Sequence, residues 1–263
     1  MNREMTLPEI KQTAFEILRH FKDFCTQNNI AFFLSNGTLL GAVKYGGFIP
    51  WDDDVDVLMP RADYDRLIRL YPDSARFQLF SAERVPDFRF PFAKLCDRTT
   101  VKMEENIDNG VSLGIDIDIF PIDSCTEHIL RRDVQLRSKL CLVGYMLSKF
   151  TSGGDRSLLK RCIIRCCRMC GHGFFHKRLL ALVHREGTRG STHKGCLIWP
   201  VYGSREVLPA EVFAEAVEVT FEGETFPAPV GYDAYLRSLY GDYPKDPPKE
   251  KQKTHHRFKA YRV

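Results

Sequence analysis

The 263-residue chain lacks any apolar run long enough to cross a bilayer. A span needs about 20 such residues, and the nearest stretch, Leu140–Leu147, is far shorter. The opening Met-Asn-Arg-Glu leads into an amphipathic pattern and not into the hydrophobic core of a signal peptide. A cytoplasmic location is therefore expected, including the inner face of the cytoplasmic membrane. A strong charge of one sign is also missing. The formal balance of 38 basic and 34 acidic residues is +4, too mild to imply a nucleic-acid partner. Aromatic residues do not interleave with the basic stretches in a stacking pattern, which argues against nucleic acid as well.

What is present is ordinary for a globular protein: 44% hydrophobic and 27% charged residues exclude a disordered or fibrous chain. The nine cysteines are odd in number, in a chain too large to need a disulfide scaffold, so most are expected as reduced thiols. Cys162, Cys166, Cys167 and Cys170 cluster, with His172 and His176 nearby. Only Cys167–Cys170 has CxxC spacing, so small apolar residues on a helix face are favoured over a structural zinc.

Charge is distributed unevenly. Trp51 to Asp123 carries 16 acidic and 9 basic residues, whereas Ser124 to Arg185 carries 3 acidic and 13 basic. The tail from Pro244 to Val263 has 7 basic and 2 acidic residues. An acidic region flanked by basic ones suits a metal site beside phosphate-binding surfaces. The basic helical stretch with Arg161, Arg165 and Arg168 could also make peripheral contact with anionic lipid.

Along the chain, Thr6 can cap a helix with Pro8 in its first turn and Glu9 three residues on. The stripe Ile10, Ala14, Ile17, Leu18, Phe21, Phe24, Cys25 carries that helix to Asn28-Asn29. Strands are expected at Ile30–Leu34, Val55–Met59, Gln78–Phe80, Phe92–Leu95, Val101–Glu104 and Ile115–Phe120. A turn at Ser35-Asn36-Gly37 precedes a short helix over Thr38–Val43, Gly46-Gly47 and Pro50 form a loop, and a further helix runs from about Ala62 to Leu70. Thr126 to Glu186 reads as two helices broken at Thr151-Ser152-Gly153-Gly154. A strand near Leu197–Tyr202, a hairpin of Val217–Phe221 and Thr225–Phe226, and a helix near Tyr232–Tyr240 precede a Pro- and Lys-rich tail. The expected fold class is α+β, a mixed sheet with flanking helices and a basic helical insertion. Its parts are a catalytic core over 1–124, a basic helical section over 125–190, and an α+β return with a basic tail over 191–263 that completes the same domain.

The chemistry lies in two acidic strands. In Trp51-Asp52-Asp53-Asp54-Val55-Asp56-Val57, strand alternation puts Asp54 and Asp56 on one face and the valines in the core. In Gly114-Ile115-Asp116-Ile117-Asp118-Ile119-Phe120, Asp116 and Asp118 share a face opposite three isoleucines. One Asp-x-Asp strand is most often a half-solvated strand. Two in one domain predict converging carboxylates, an oxygen donor set suited to Mg2+ or Mn2+. Upstream, Leu34-Ser35-Asn36-Gly37-Thr38 joins a strand to a helix start, where backbone N–H groups and the Ser35 and Thr38 hydroxyls can cradle a phosphate. The combination matches the plan of nucleotidyltransferase-fold enzymes.

The segment from Gly37-Thr38-Leu39-Leu40-Gly41-Ala42-Val43-Lys44 through Gly46-Gly47-Phe48-Ile49-Pro50-Trp51-Asp52-Asp53-Asp54-Val55-Asp56-Val57 resembles the signature of the LicD family. That family includes bacterial phosphocholine transferases and is related to the fukutin group. Phe92-Ala93-Lys94-Leu95, Gly114–Asp123, Leu239-Tyr240-Gly241-Asp242-Tyr243-Pro244, Pro247-Pro248 and His255-His256 are similar to further family segments. The likeness spans about residues 7 to 258. It implies transfer of a phospho-alcohol from a CDP-activated donor to a hydroxyl of a surface glycan or its lipid-linked precursor, phosphocholine from CDP-choline being the best-known case. Lys44 stands where arginine is common in the family, which keeps the charge and loses bidentate geometry.

On this reading Asp54 and Asp56 hold Mg2+ or Mn2+. Asp118 is the third carboxylate, as metal ligand or as base, with Asp116 its alternate. Asp52 and Asp53 are expected as loop or capping contacts. Gly37, Thr38 and Ser35 are expected at the donor phosphate, and Lys94 could reach the same charge or be an exposed strand lysine. Lys44, His256 and Arg257 are expected at substrate, the last two only if the basic tail folds over the site instead of staying a solvated end. The rival readings are a nucleotidyltransferase acting on a small molecule and a non-catalytic membrane-peripheral module.

Overall fold

In the computed structural model, residues 3–104, 110–126, 143–144, 147, 157–187, 190–254 and 258–263 are described. The first helix, α1 (Leu7–Gln27), begins where the capping pattern puts it: Glu9 Oε2 accepts from the Thr6 backbone N–H at 2.8 Å and from the Thr6 hydroxyl at 2.9 Å. Its stripe Ala14, Ile17, Leu18 and Phe21 is fully buried against the sheet, each large side chain contributing about 1.5–3 kcal/mol. Asn28 ends the helix, and Asn29 turns the chain at φ 50°. That left-handed turn leaves only Phe33–Leu34 as β1, shorter than the expected Ile30–Leu34.

No separate turn follows. Ser35 is the N-cap of α2 (Asn36–Tyr45), so Asn36 and Gly37 belong to its first helical turn. Gly46 closes α2 at φ 68°. Gly41 faces the returning loop so closely that a Cβ there would lie 2.4 Å from the Gly47 carbonyl oxygen. Next come β2 (Asp56–Pro60), α3 (Arg61–Leu70), β3 (Phe77–Phe80), β4 (Ala93–Glu104) and β5 (Leu113–Cys125). The two strands expected within 92–104 are thus one. It carries an irregularity between Asp97 and Lys102, where the Thr100 hydroxyl donates to the Asp97 carbonyl at 2.8 Å.

The main sheet runs β1-β2-β5-β4-β10, with β10 formed by Phe258–Arg262. The β2–β5 pairing is parallel and the others on this path are antiparallel. The C-terminal residues 258–262 are therefore a sheet strand and not a solvated end. Ala260 is buried, and the register runs from Phe258 opposite Glu104 to Arg262 opposite Thr100. Arg61, at the start of α3, clasps Asp123 of β5 through two hydrogen bonds of 2.6 and 2.9 Å.

In the basic section, α4 (Leu158–Cys170) and α5 (His172–Gly187) are separated at Gly171, with φ 76°. The break expected at Thr151–Gly154 lies outside the described residues. The strand expected at Leu197–Tyr202 does not form. The strand there is β6 (His193–Gly195), between β5 and β7 (Leu208–Pro209), while Pro200 sits in the turn that follows and Trp199 packs on Phe92 at 5.4 Å. The hairpin β8 (Ala216–Phe221) and β9 (Glu224–Pro229) turns on Glu222-Gly223, both at positive φ, as a two-residue turn requires. The last helix, α6, spans Tyr232–Tyr240.

Candidate active site

The site is built at the start of β2. The Ser35 N–H donates to the Asp56 carbonyl at 3.1 Å, and the Asp56 N–H donates to the Thr38 hydroxyl oxygen at 2.8 Å. These bonds tie the first turn of α2 to the first residue of the strand. The Asn36 side chain hydrogen-bonds the Asp56 carboxylate, while its Oδ1 accepts from the Tyr235 hydroxyl at 2.8 Å. Gly37 leaves room for Asp52: a Cβ at residue 37 would meet Asp52 Oδ2 at 2.6 Å.

Parallel pairing then sets Asp56 opposite Asp118. The regular strand begins at Asp56, one residue later than expected. The Asp118 N–H nevertheless donates to the Val55 carbonyl at 2.8 Å, which extends the alternation back toward Asp54. Val55 and Val57 are fully buried, and Asp54, Asp56 and Asp118 all line one cavity. Burial pushes the Asp56 carboxyl well above its ordinary range, and the neighbouring Asp54 and Asp118 push it further. Burial also raises Asp118, against the pull of Lys94.

Antiparallel pairing with β4 sets Lys94 opposite Asp118. The Lys94 ammonium is bonded to Asp118 and lies 3.4 Å from Asp116. Lys102 holds Asp116 from the other side at 3.1 Å. Burial works against the Lys94 charge, yet Asp116 and Asp118 hold its pKa above the usual lysine value. Burial likewise opposes the Asp116 charge, but Lys102 and Lys94 keep that carboxyl below its ordinary range. Of the Asp-x-Asp pair on β5, Asp118 faces the cavity and Asp116 is the inner member of an ion-pair network.

The cavity holds about 1140 Å3. Besides these acids it presents Lys44, Arg205, Lys245 and Lys253, and aromatic walls from Tyr45, Trp51, Trp199, Tyr202, Tyr240 and Tyr243. Lys44 bonds Asp246 at 2.6 Å and the Tyr243 carbonyl at 3.2 Å. Thr254 donates to Asp53 at 2.8 Å, so the segment before β10 crosses the acidic loop.

Of the residues expected at donor phosphate, Gly37 lines the cavity, whereas Ser35, Thr38 and Lys94 are buried behind its wall. Thr38 is engaged by Asp56 and Lys94 by the β5 acids, and the Lys94 side chain is not an exposed strand lysine. His256 and Arg257 lie outside the described residues. Asn36, Tyr45, Arg205, Glu206 and Lys253 line the cavity and were not expected there. Asn36 carried a readable signal, a polar residue directly after the N-cap. Arg205 and Glu206 carried none, because a 3-10 turn delivers them from distant sequence. Glu206 lines the cavity, accepts from the Tyr202 N–H, and burial pushes its carboxyl up to about 8.

The donor chemistry fits a hard divalent cation. Asp54, Asp56 and Asp118 offer only oxygen, and their mutual repulsion as anions would be relieved by a cation between them. Among the described residues the tightest carboxylate group is Asp52, Asp53 and Asp54, with ligand atoms within 4.8 Å of one another. Asp52 and Asp53 thus lie beside Asp54 of the donor set, and Asp53 also meets Thr254 of the segment before β10.

An acidic strand pair fed by a strand–helix joint, above a large cavity with cationic and aromatic walls, defines a nucleotidyltransferase-fold enzyme. Residues 29–139 match the family model described as LicD/FKTN/FKRP, nucleotidyltransferase domain. It is 28% identical over 98% of its length to the Lipopolysaccharide cholinephosphotransferase LicD of Haemophilus influenzae, covering 99% of that protein. Over 60 residues it is 36% identical to an uncharacterized protein of Rickettsia prowazekii, 23% of either chain. It is also 31% identical over 103 residues to Mannosyltransferase regulator 4 of Saccharomyces cerevisiae, 39% of this chain and 8% of that one.

Proposed function

We propose that this protein transfers phosphocholine from a CDP-activated donor to a hydroxyl of a lipopolysaccharide or its lipid-linked precursor. The observation that carries the reading is the direct opposition of Asp56 and Asp118 in a cavity that also contains Asp54. The near full-length likeness to a cholinephosphotransferase supports the choice of alcohol and acceptor.

Asp54, Asp56 and Asp118 would hold Mg2+ or Mn2+, which supplies neutralising charge to a diphosphate. Around them Lys44, Arg205 and Lys253 offer cationic groups to phosphate oxygens. Tyr45 and Trp51, with ring centroids 6.4 Å apart, offer π faces of the kind that attract a quaternary ammonium. Asp118 serves as third ligand or takes the acceptor proton, and its cavity position favours it over Asp116. Lys94 orients Asp118 from behind.

Mass spectrometry of the acceptor after incubation with CDP-choline tests the reading. A phosphocholine adduct with release of CMP supports it. A CMP adduct on the acceptor would overturn it in favour of nucleotidyl transfer.

A further inference from the structure

A surface helix normally buries its apolar stripe and shows its charges to water. In α4 the arrangement is reversed. Ile164 is the one fully buried side chain of the helix, and it lies between Lys160 and Arg168 on the helical wheel. The opposite half carries Leu158, Leu159, Ile163 and Met169, which are 77%, 73%, 44% and 82% exposed. Cys162, Cys166 and Cys170 lie among them and are exposed as well. Arg161, Arg165 and Arg168 form one border of this apolar half and Lys160 the other. After the bend at Gly171, α5 adds exposed Phe174 beside Lys177 and Arg178. Residues 158–187 hold seven basic residues and a single acid, Glu186.

We propose that α4 is a membrane-docking helix that lies in the interface of an anionic lipid surface. Its apolar half would enter the boundary between headgroups and acyl chains, and its arginine border would meet the lipid phosphates. At 13 residues it is about 20 Å long, enough to lie in an interface and too short to span one. No helix among the described residues is long and apolar enough to cross a membrane. The charge selects lipid over a second copy of the chain. Two such faces packed together would bring like-charged arginine borders into contact, whereas anionic headgroups neutralise them. The inference stands on this surface alone and does not depend on the transfer reaction.

Vesicle flotation of the full chain tests it. The protein should float with phosphatidylcholine/phosphatidylglycerol vesicles at low salt, and should sink with phosphatidylcholine alone. Arg161→Gln with Arg165→Gln should weaken partitioning about thirtyfold, each basic residue near the surface being worth about 1 kcal/mol. Leu159→Glu with Ile163→Glu should abolish binding. All four positions are exposed, so the circular dichroism spectrum should not change. A wild-type protein that sinks with anionic vesicles overturns the proposal, as do variants that float as well as wild type. A concentration-dependent dimer that Leu159→Glu abolishes, without lipid binding, also overturns it.

Discussion

Asp56 of β2 and Asp118 of β5 are direct partners on parallel neighbouring strands, and Lys94 faces Asp118 from the strand on the other side. Three adjacent strands therefore present acid, acid and base in a row. Both acids open to the cavity, and the lysine closes the row from within. Such a row keeps a carboxylate in place before any ligand arrives, because its counter-charge belongs to the fold.

Lys94→Met should be strongly destabilising. It leaves Asp118 without its bonded ammonium and removes one of two lysines from Asp116, and unpairing a buried ion pair costs about 3–5 kcal/mol. The urea midpoint at neutral pH should fall accordingly. The deficit should shrink as pH falls toward about 4, where the acids can enter the fold protonated. An unchanged midpoint would mean that the pair is not coupled to folding.

Glu206 should make stability pH-dependent in a particular window. Its carboxyl is held at about 8 in the folded protein against an ordinary 4.5, so the folded state keeps a proton that the unfolded chain gives up. The contribution is full below pH 4.5 and is lost as pH rises to about 8. Glu206→Gln, whose amide oxygen can still accept from the Tyr202 N–H, should match wild type at pH 4 and exceed it at pH 9 by a few kcal/mol, since each tenfold difference in proton affinity is worth about 1.4 kcal/mol. Parallel thermal melts across that range check the crossover. Parallel curves would contradict it.

Removing residues 258–263 should destabilise the whole sheet. The deletion strips β10 from the edge of β4 and takes away buried Ala260 and the Phe258 ring under Lys102, 4.7 Å from its ammonium. At roughly 1 kcal/mol per lost hydrogen bond, a drop of a few kcal/mol is expected in denaturant titration. Transfer activity should fall with it, because the preceding segment carries Lys253 and Thr254 to the site.

What the sequence disclosed and what it withheld divide along the range of the interactions. The Thr6–Glu9 capping pattern, the Glu222-Gly223 turn, the Tyr232–Tyr240 helix and both Asp-x-Asp strands are local patterns, and each starts within two residues of its expected place, although β5 runs on to Cys125, past the expected end at Phe120. The role of Lys94 depends on which strand lies beside β4, so its burial against Asp116 and Asp118 could not be read from its neighbours. The C-terminal strand looked like a solvated tail because its composition is basic, and its partner stands about 160 positions earlier in the chain. Ser35 and Thr38 have the residue types that bind phosphate. The helix start at Asn36 leaves both residues buried, and the Thr38 hydroxyl accepts from the Asp56 N–H of the strand.

The most direct test of the central claim, that the β2 and β5 acids act together through a divalent cation, is CMP release from CDP-choline in the presence of acceptor. Wild-type protein should release CMP with Mg2+ or Mn2+, stop on EDTA and resume when the metal is restored. Asp54→Asn, Asp56→Asn and Asp118→Asn should be silent while keeping the wild-type circular dichroism spectrum. Release that persists in EDTA, or turnover retained by Asp54→Asn or Asp56→Asn, would contradict the account.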